Sequence, residues 1–158
     1  YTIEKIEELL EELEQKGIIA TKQKEAVPKQ KILAFAQSQL FKEIGRAKKT
    51  YKEQPFYINI PVKELYESKS NENILVQGII DLYYITENEE IILVDYKTDY
   101  VPENKASYLK EKYQSQLNLY KRALEQALGK KVTRAYIYST YLNDSIEVKN
   151  RRLEVGKW

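Results

Sequence analysis

The spacing of apolar positions changes character about a third of the way along the chain. Over Thr2–Gln15 it is helical, with Ile3, Ile6, Leu9, Leu10 and Leu13 on one face. The opposite face carries Glu4, Glu7, Glu8, Glu11, Glu12 and Glu14, which reads as a solvated surface and a poor one for DNA. Thr2 with Lys5 gives half a capping box, and Gly17 ends the helix. Thr21–Val27 reads as a short helix stopped by Pro28. Ile32, Leu33, Phe35, Ala36, Leu40, Phe41 and Ile44 predict one or two further helices up to Gly45.

From Pro55 the period is that of strands. Phe56, Ile58 and Ile60 alternate over Pro55–Val62, and Glu67–Asn73 is polar and turn-like. Ile74–Thr86 and Ile91–Thr98 form two more strands, joined by a hairpin turn over Glu87–Glu90. Pro102–Lys105 is a loop. Ser107–Leu128 is a long helix with Ser107 as its N-cap and Gly129 just past its end, and Val132–Leu142 is a last strand. The order, helices and then β-β-β-α-β, predicts an α/β fold. Its mixed β-sheet is flanked by helices, and the long helix is the crossover. The expected division is a helical N-terminal part over residues 1–53 and a β-β-β-α-β core over residues 54–158, together one domain.

Composition narrows the chemistry. The 158 residues carry a net charge of +2, too little to argue for nucleic acid by itself. No apolar run is long enough to span a membrane, and a cytoplasmic location is expected. No cysteine or histidine occurs, which excludes thiolate zinc, iron–sulfur ligation and Ser-His catalysis within this chain. A metal site here must be oxygen-rich, which favours magnesium, manganese or calcium. No methionine occurs either, and the chain reads as a piece of a longer polypeptide.

Two strands end in acids. Ile74-Leu75-Val76-Gln77-Gly78-Ile79-Ile80 leads to Asp81, and Ile91-Ile92-Leu93-Val94 leads to Asp95 with Lys97 two positions on. Period 2 puts Asp95 and Lys97 on one face, and pairing the two strands brings Asp81 within reach. Two carboxylates and a lysine on one sheet face suit metal-assisted phosphodiester hydrolysis. A D-x-K triplet alone is more often a solvated ion pair, but the apolar runs here indicate buried strands, where charges are seldom idle. On the long helix, Tyr113, Gln116, Leu117, Tyr120 and Leu124 share a face. Gln116 and Tyr120 are its polar members and are expected to face the carboxylates. Arg46, Lys48, Lys49 and Lys52 form a basic run, either an ordinary solvated loop or a phosphate contact beside the site.

Gly78-Ile79-Ile80-Asp81, Asp95-Tyr96-Lys97-Thr98 and Gln116-Leu117-Asn118-Leu119-Tyr120 match, in order, the G-x-x-D, D-x-K-T and Q-x-x-x-Y motifs of RecB-type nucleases. The chain thus resembles the PD-(D/E)xK superfamily, with its restriction-endonuclease-like core. Within it the wording is most similar to the C-terminal nuclease domain of the AddA family of bacterial helicase–nucleases. The resemblance implies Mg2+ or Mn2+ bound by Asp81, Asp95 and the carbonyl of Tyr96. It implies that Lys97 handles the attacking water, while Gln116 and Tyr120 organise the site or contact DNA. It also implies DNA as substrate, helicase domains in the same polypeptide and an AddB-type partner subunit. The family's earlier helix-borne histidine has no counterpart here, so a sequence beginning downstream of it is expected, with slow or undetectable cleavage by this chain alone. The other readings are a stand-alone RecB-like or CRISPR-associated exonuclease, and a catalytically silent domain of this fold that binds DNA or a partner.

Overall fold

The change of period marks a division into two compact units, Tyr1–Gly45 and the chain from Arg46 onward. The structure is a computed structural model, and it describes residues 1–65 and 70–149. The first unit holds α1 (Ile3–Gln15), α2 (Thr21–Ala26), α3 (Lys29–Gln37) and α4 (Gln39–Gly45). The Thr2 hydroxyl accepts from the Lys5 amide, 3.4 Å away, and Gly17 adopts φ +68° beyond the end of α1, where a side chain would strain the backbone. The acidic face of α1 is not merely solvated. Lys24 of α2 lies 2.5 Å from Glu14 and 3.0 Å from Glu11, and Lys29 of α3 lies 2.6 Å from Glu7.

The second unit is built on β1 (Lys49–Pro61), β2 (Asn73–Ile85), β3 (Ile91–Lys97), β4 (Val132–Ser139) and β5 (Asp144–Glu147). They form one sheet in that order, antiparallel throughout except for the parallel pair β3–β4. The four-residue helix α5 (Val62–Leu65) follows β1. A parallel pair needs a crossover, and α6 (Ala106–Leu128) supplies it. Leu109, Leu117, Ala123 and Leu124 of α6 are buried in one core with Leu93, Ala135 and Ile137 of the sheet. The α/β class and the mixed sheet are as expected from the sequence.

Several boundaries differ, and one strand is additional. β1 starts at Lys49 rather than Pro55, because its first residues, largely exposed apart from half-buried Tyr51, show no apolar alternation. α6 starts at Ala106 with Lys105, not Ser107, at the cap position; a single 3₁₀ turn over Pro102–Asn104 leads into it. β4 stops at Ser139, where the Thr140 amide makes the last bond to β3, to the Lys97 carbonyl 2.9 Å away. Asn143, at φ +53°, then reverses the chain into β5, which has no counterpart among the elements expected from the sequence. The turn expected over Glu67–Asn73 lies partly outside the described residues.

Gly78 pairs across the ladder with Phe56, and a Cβ on it would meet the Phe56 ring at 2.7 Å. Phe56 is buried and stands edge-on to the Tyr120 ring, with centroids 5.4 Å apart, so it has little room to yield. Gly78→Ala is therefore expected to destabilise the protein by about 1–3 kcal/mol, the usual scale of overpacking. Denaturant unfolding measures it, and an unchanged midpoint would contradict the close approach.

Candidate active site

The β2–β3 ladder runs from Ile85–Ile91 to Leu82–Val94 and stops one step short of Asp81 opposite Asp95. Cross-strand partners share a face, so this register turns both carboxylates to one side of the sheet. Where the ladder ends, the Asp81 carboxylate accepts the Tyr96 amide at 2.9 Å, taking over a backbone donor at the opening between the strands.

Asp95 follows four buried apolar residues of β3 and is itself only 1% exposed. Burial pushes its pKa up, Lys97 opposes this, and the nearby Asp81 charge adds to the rise. Lys97 Nζ stands 2.6 Å from Asp95 Oδ2, close enough for a strong charge pair. It lies off the hydrogen-bonding direction, so Oδ2 has a counter-charge but no aligned donor.

Across this face lies α6. Gln116 Nε2 donates to the Tyr120 hydroxyl at 2.8 Å, and the Gln116 carbonyl oxygen is buried with no hydrogen-bond partner among the described residues. Burial raises the Tyr120 pKa, and Asp95 and then Asp81 add to the rise, which places the phenol within the field of both acids. Burial also pushes the Tyr96 phenol up to about 12, with help from Asp81. The structure thus brings Asp81, Asp95, Lys97, Gln116 and Tyr120 to one locality.

The basic run does not act as one patch. Lys48 is ion-paired with Glu89, which also takes Lys130 at 3.2 Å. Lys49 and Lys52 lie in β1 with opposite parity, and Arg46 precedes the strand. Lys52 alone of the four lines an open cleft of about 460 Å³, together with Glu53, Asp81, Leu82 and Tyr96.

Glu53, Asp99 and Lys112 join the site without having been expected there from the sequence. Glu53 lines the cleft and stands where the β1–β2 register would place Asp81, at φ +48°, a conformation a glutamate seldom adopts. No composition signal marks it. Asp99 accepts from the Tyr113 hydroxyl at 2.8 Å and pairs with Lys112 at 2.5 Å. These two partners, Lys112 first, hold its carboxyl below the usual range. The period-2 series Asp95, Lys97, Asp99 is the signal that could have found it, together with Tyr113 on the site face of the long helix.

Among the described residues, no three acidic side chains gather as a ready metal cage. The donors still fit a hard cation that keeps several waters. Two carboxylates share a face, and buried oxygens of Asp95 and Gln116 lack aligned partners.

Comparison with known proteins places the chain in a family. The family described as the PD-(D/E)XK nuclease superfamily matches residues 2–154. An ATP-dependent helicase/nuclease subunit of Clostridium acetobutylicum is 38% identical over 152 residues, covering 94% of this chain and 12% of its own length. Proteins of the same name from Clostridium novyi and Acetivibrio thermocellus are 37% and 40% identical, covering 94% and 87% of this chain. The chain spans 12% and 11% of those two relatives.

The raised Asp95 pKa has a consequence for stability. The native state holds that proton more tightly than the unfolded chain, so ionisation opposes folding as pH rises from the ordinary carboxylate range through the raised native value. In metal-free buffer, the stability of Asp95→Asn relative to the unaltered chain is expected to increase across that window and then level off. Denaturant unfolding of both proteins over a pH series measures the difference. A difference that is flat or falls with pH would contradict a shift dominated by burial.

Proposed function

Because the chain belongs to the PD-(D/E)XK nuclease superfamily, we propose that Asp81, Asp95 and Lys97 hydrolyse DNA phosphodiester bonds with a divalent metal, Mg2+ or Mn2+. The observation that carries this reading is the pair of facing carboxylates beside a half-buried lysine, with one Asp95 oxygen lacking an aligned donor. Asp81 and Asp95 would hold the ion by side chain and Tyr96 by its backbone carbonyl. When bound, the ion supplies an activated water and neutralises phosphate charge.

The chain's own groups divide the remaining work. Lys97 orients or deprotonates the water and stabilises charge developing on the phosphate. The Gln116 amide is fixed by its bond to Tyr120, and its carbonyl is left to accept from a water. The buried Tyr120 stays protonated and can donate. Lys52, at the cleft, contacts the DNA backbone; Arg46, Lys48 and Lys49 play a lesser part.

In the wider setting, this is the nuclease domain of a bacterial helicase–nuclease that degrades DNA exonucleolytically from double-strand ends for recombinational repair. The helicase motor stands in the same polypeptide, an AddB-type protein is the partner, and the complex works in the cytoplasm. The names of the relatives support this reading. A catalytically silent binding domain is disfavoured, since it has no use for a buried acid without an aligned donor.

Asp95→Ala should abolish metal-dependent cleavage of a DNA oligonucleotide and also remove the thermal stabilisation produced by Mg2+, expected at roughly millimolar concentration for a site with few protein ligands. Lys97→Ala should abolish cleavage but keep the Mg2+ stabilisation. Undiminished cleavage by either variant rules out the assigned roles. For DNA affinity, Lys52→Gln should weaken binding and lower its salt dependence, whereas Lys48→Gln should change little because Glu89 already engages Lys48. Equal losses in the two variants, read by fluorescence anisotropy over a salt series, would contradict the special place of Lys52.

A further inference from the structure

We propose that Tyr113, anchored by Asp99, is a positioning residue for Lys97, its ring face giving the ammonium a second seat beside Asp95. The inference rests on the catalytic reading of Lys97. Lys97 Nζ lies 4.3 Å from the centroid of the Tyr113 ring, within cation–π range, and 2.6 Å from Asp95 Oδ2 on its other side. The ring is fixed in turn. The Tyr113 hydroxyl is 2.8 Å from both oxygens of Asp99, and Lys112 Nζ holds Asp99 at 2.5 Å. Lys112 also stands 5.2 Å from the centroid of the same ring. A chain of contacts therefore runs from Asp95 through Lys97, Tyr113 and Asp99 to Lys112, spanning the end of β3 and the second turn of α6.

This second seat answers a conflict within the site. Asp95 is asked both to bind a cation and to pair with Lys97. A carboxylate engaged by a divalent ion attracts an ammonium far less. Lys97 is mostly buried, so without another partner its charge would be left poorly solvated and its long stem free to change rotamer. An aromatic face attracts the ammonium without neutralising it and without accepting its protons as a carboxylate would. The Asp99 anchor keeps that face from rotating away. Tyr113 itself touches none of the reacting atoms and works through Lys97.

The test uses the 158-residue chain. A proton held over an aromatic ring is shifted upfield, so in metal-free protein the Lys97 ε-methylene resonances should lie upfield of those of exposed lysines. The shift should vanish in Tyr113→Leu, and it should shrink but remain in Tyr113→Phe, which keeps the ring and loses the bond to Asp99. If Tyr113→Leu does not fold, Asp99→Ala replaces it, since loss of the anchor should shrink the shift. Lys97 resonances at ordinary lysine positions in the unaltered chain, or unmoved in Tyr113→Leu or Asp99→Ala, would overturn the proposal. In cleavage assays, Tyr113→Leu should lower kcat roughly tenfold with little change in KM, and Tyr113→Phe should restore most of it. An active parent whose kcat is unchanged in Tyr113→Leu sinks this inference alone. If the parent cleaves nothing, the resonance shift alone decides where Lys97 sits, and the absence of any Mg2+- or Mn2+-dependent thermal stabilisation sinks the nuclease reading.

Discussion

Much of the second unit can be understood from one constraint, a carboxylate buried to 1% exposure at the end of β3. An unpaired buried charge is costly, and the nearest remedy on the same face is the residue two positions on, Lys97. Asp95 can be so buried only because β3 is interior. One neighbour is antiparallel β2, which brings Asp81; the other is parallel β4. The parallel neighbour demands a crossover helix, and that helix also delivers Tyr113, Gln116 and Tyr120 to the acid. Topology and chemistry are thus consequences of the same placement. A hairpin in place of the β3–α6–β4 crossover would leave the carboxylates without these three side chains.

Legibility in the sequence followed the strength of the physical signal. The interior strands were readable because burial on both faces writes continuous apolar runs, such as Ile91-Ile92-Leu93-Val94. The site was readable because Asp95, Lys97, Gln116 and Tyr120 obey short periods, 2 on a strand and 4 on a helix. What escaped obeys no local period. The first residues of β1, Lys49–Lys52, are polar and exposed or half-exposed, so pairing with Leu82–Ile85 alone makes them a strand. The four residues of β5 are too few to carry a pattern. The ion pairs of Lys24 and Lys29 with α1 depend on tertiary placement, and sequence spacing says only that a charged face exists. The role of Gly78 was visible as a motif letter, while its cause, the Phe56 ring across the ladder, required the register.

Several departures from local rules in this unit lie near one another, while others, such as the positive φ of Glu89 and Asn143, stand in the connections between strands. A glutamate adopts a left-handed backbone within a strand at Glu53, a ladder stops short at Asp81, Asp95 is buried with no aligned donor on one oxygen, and the Gln116 carbonyl is buried with no hydrogen-bond partner among the described residues. Each costs stability. Scattered over the unit, such features would read as imperfect packing. Here Glu53 and Asp81 line one cleft, Asp95 faces Asp81, and Gln116 is bonded to the phenol that feels both acids. The surrounding scaffold is, by contrast, well satisfied: Phe56 closes over Gly78 and meets Tyr120, and the Lys97 carbonyl is held by both the amide and the hydroxyl of Thr140. Selection for stability alone would remove the exceptions first, since an apolar residue at position 95 would pack among its neighbours at no electrostatic cost. Their nearness to one another beside the cleft is what a site kept for what it binds would show.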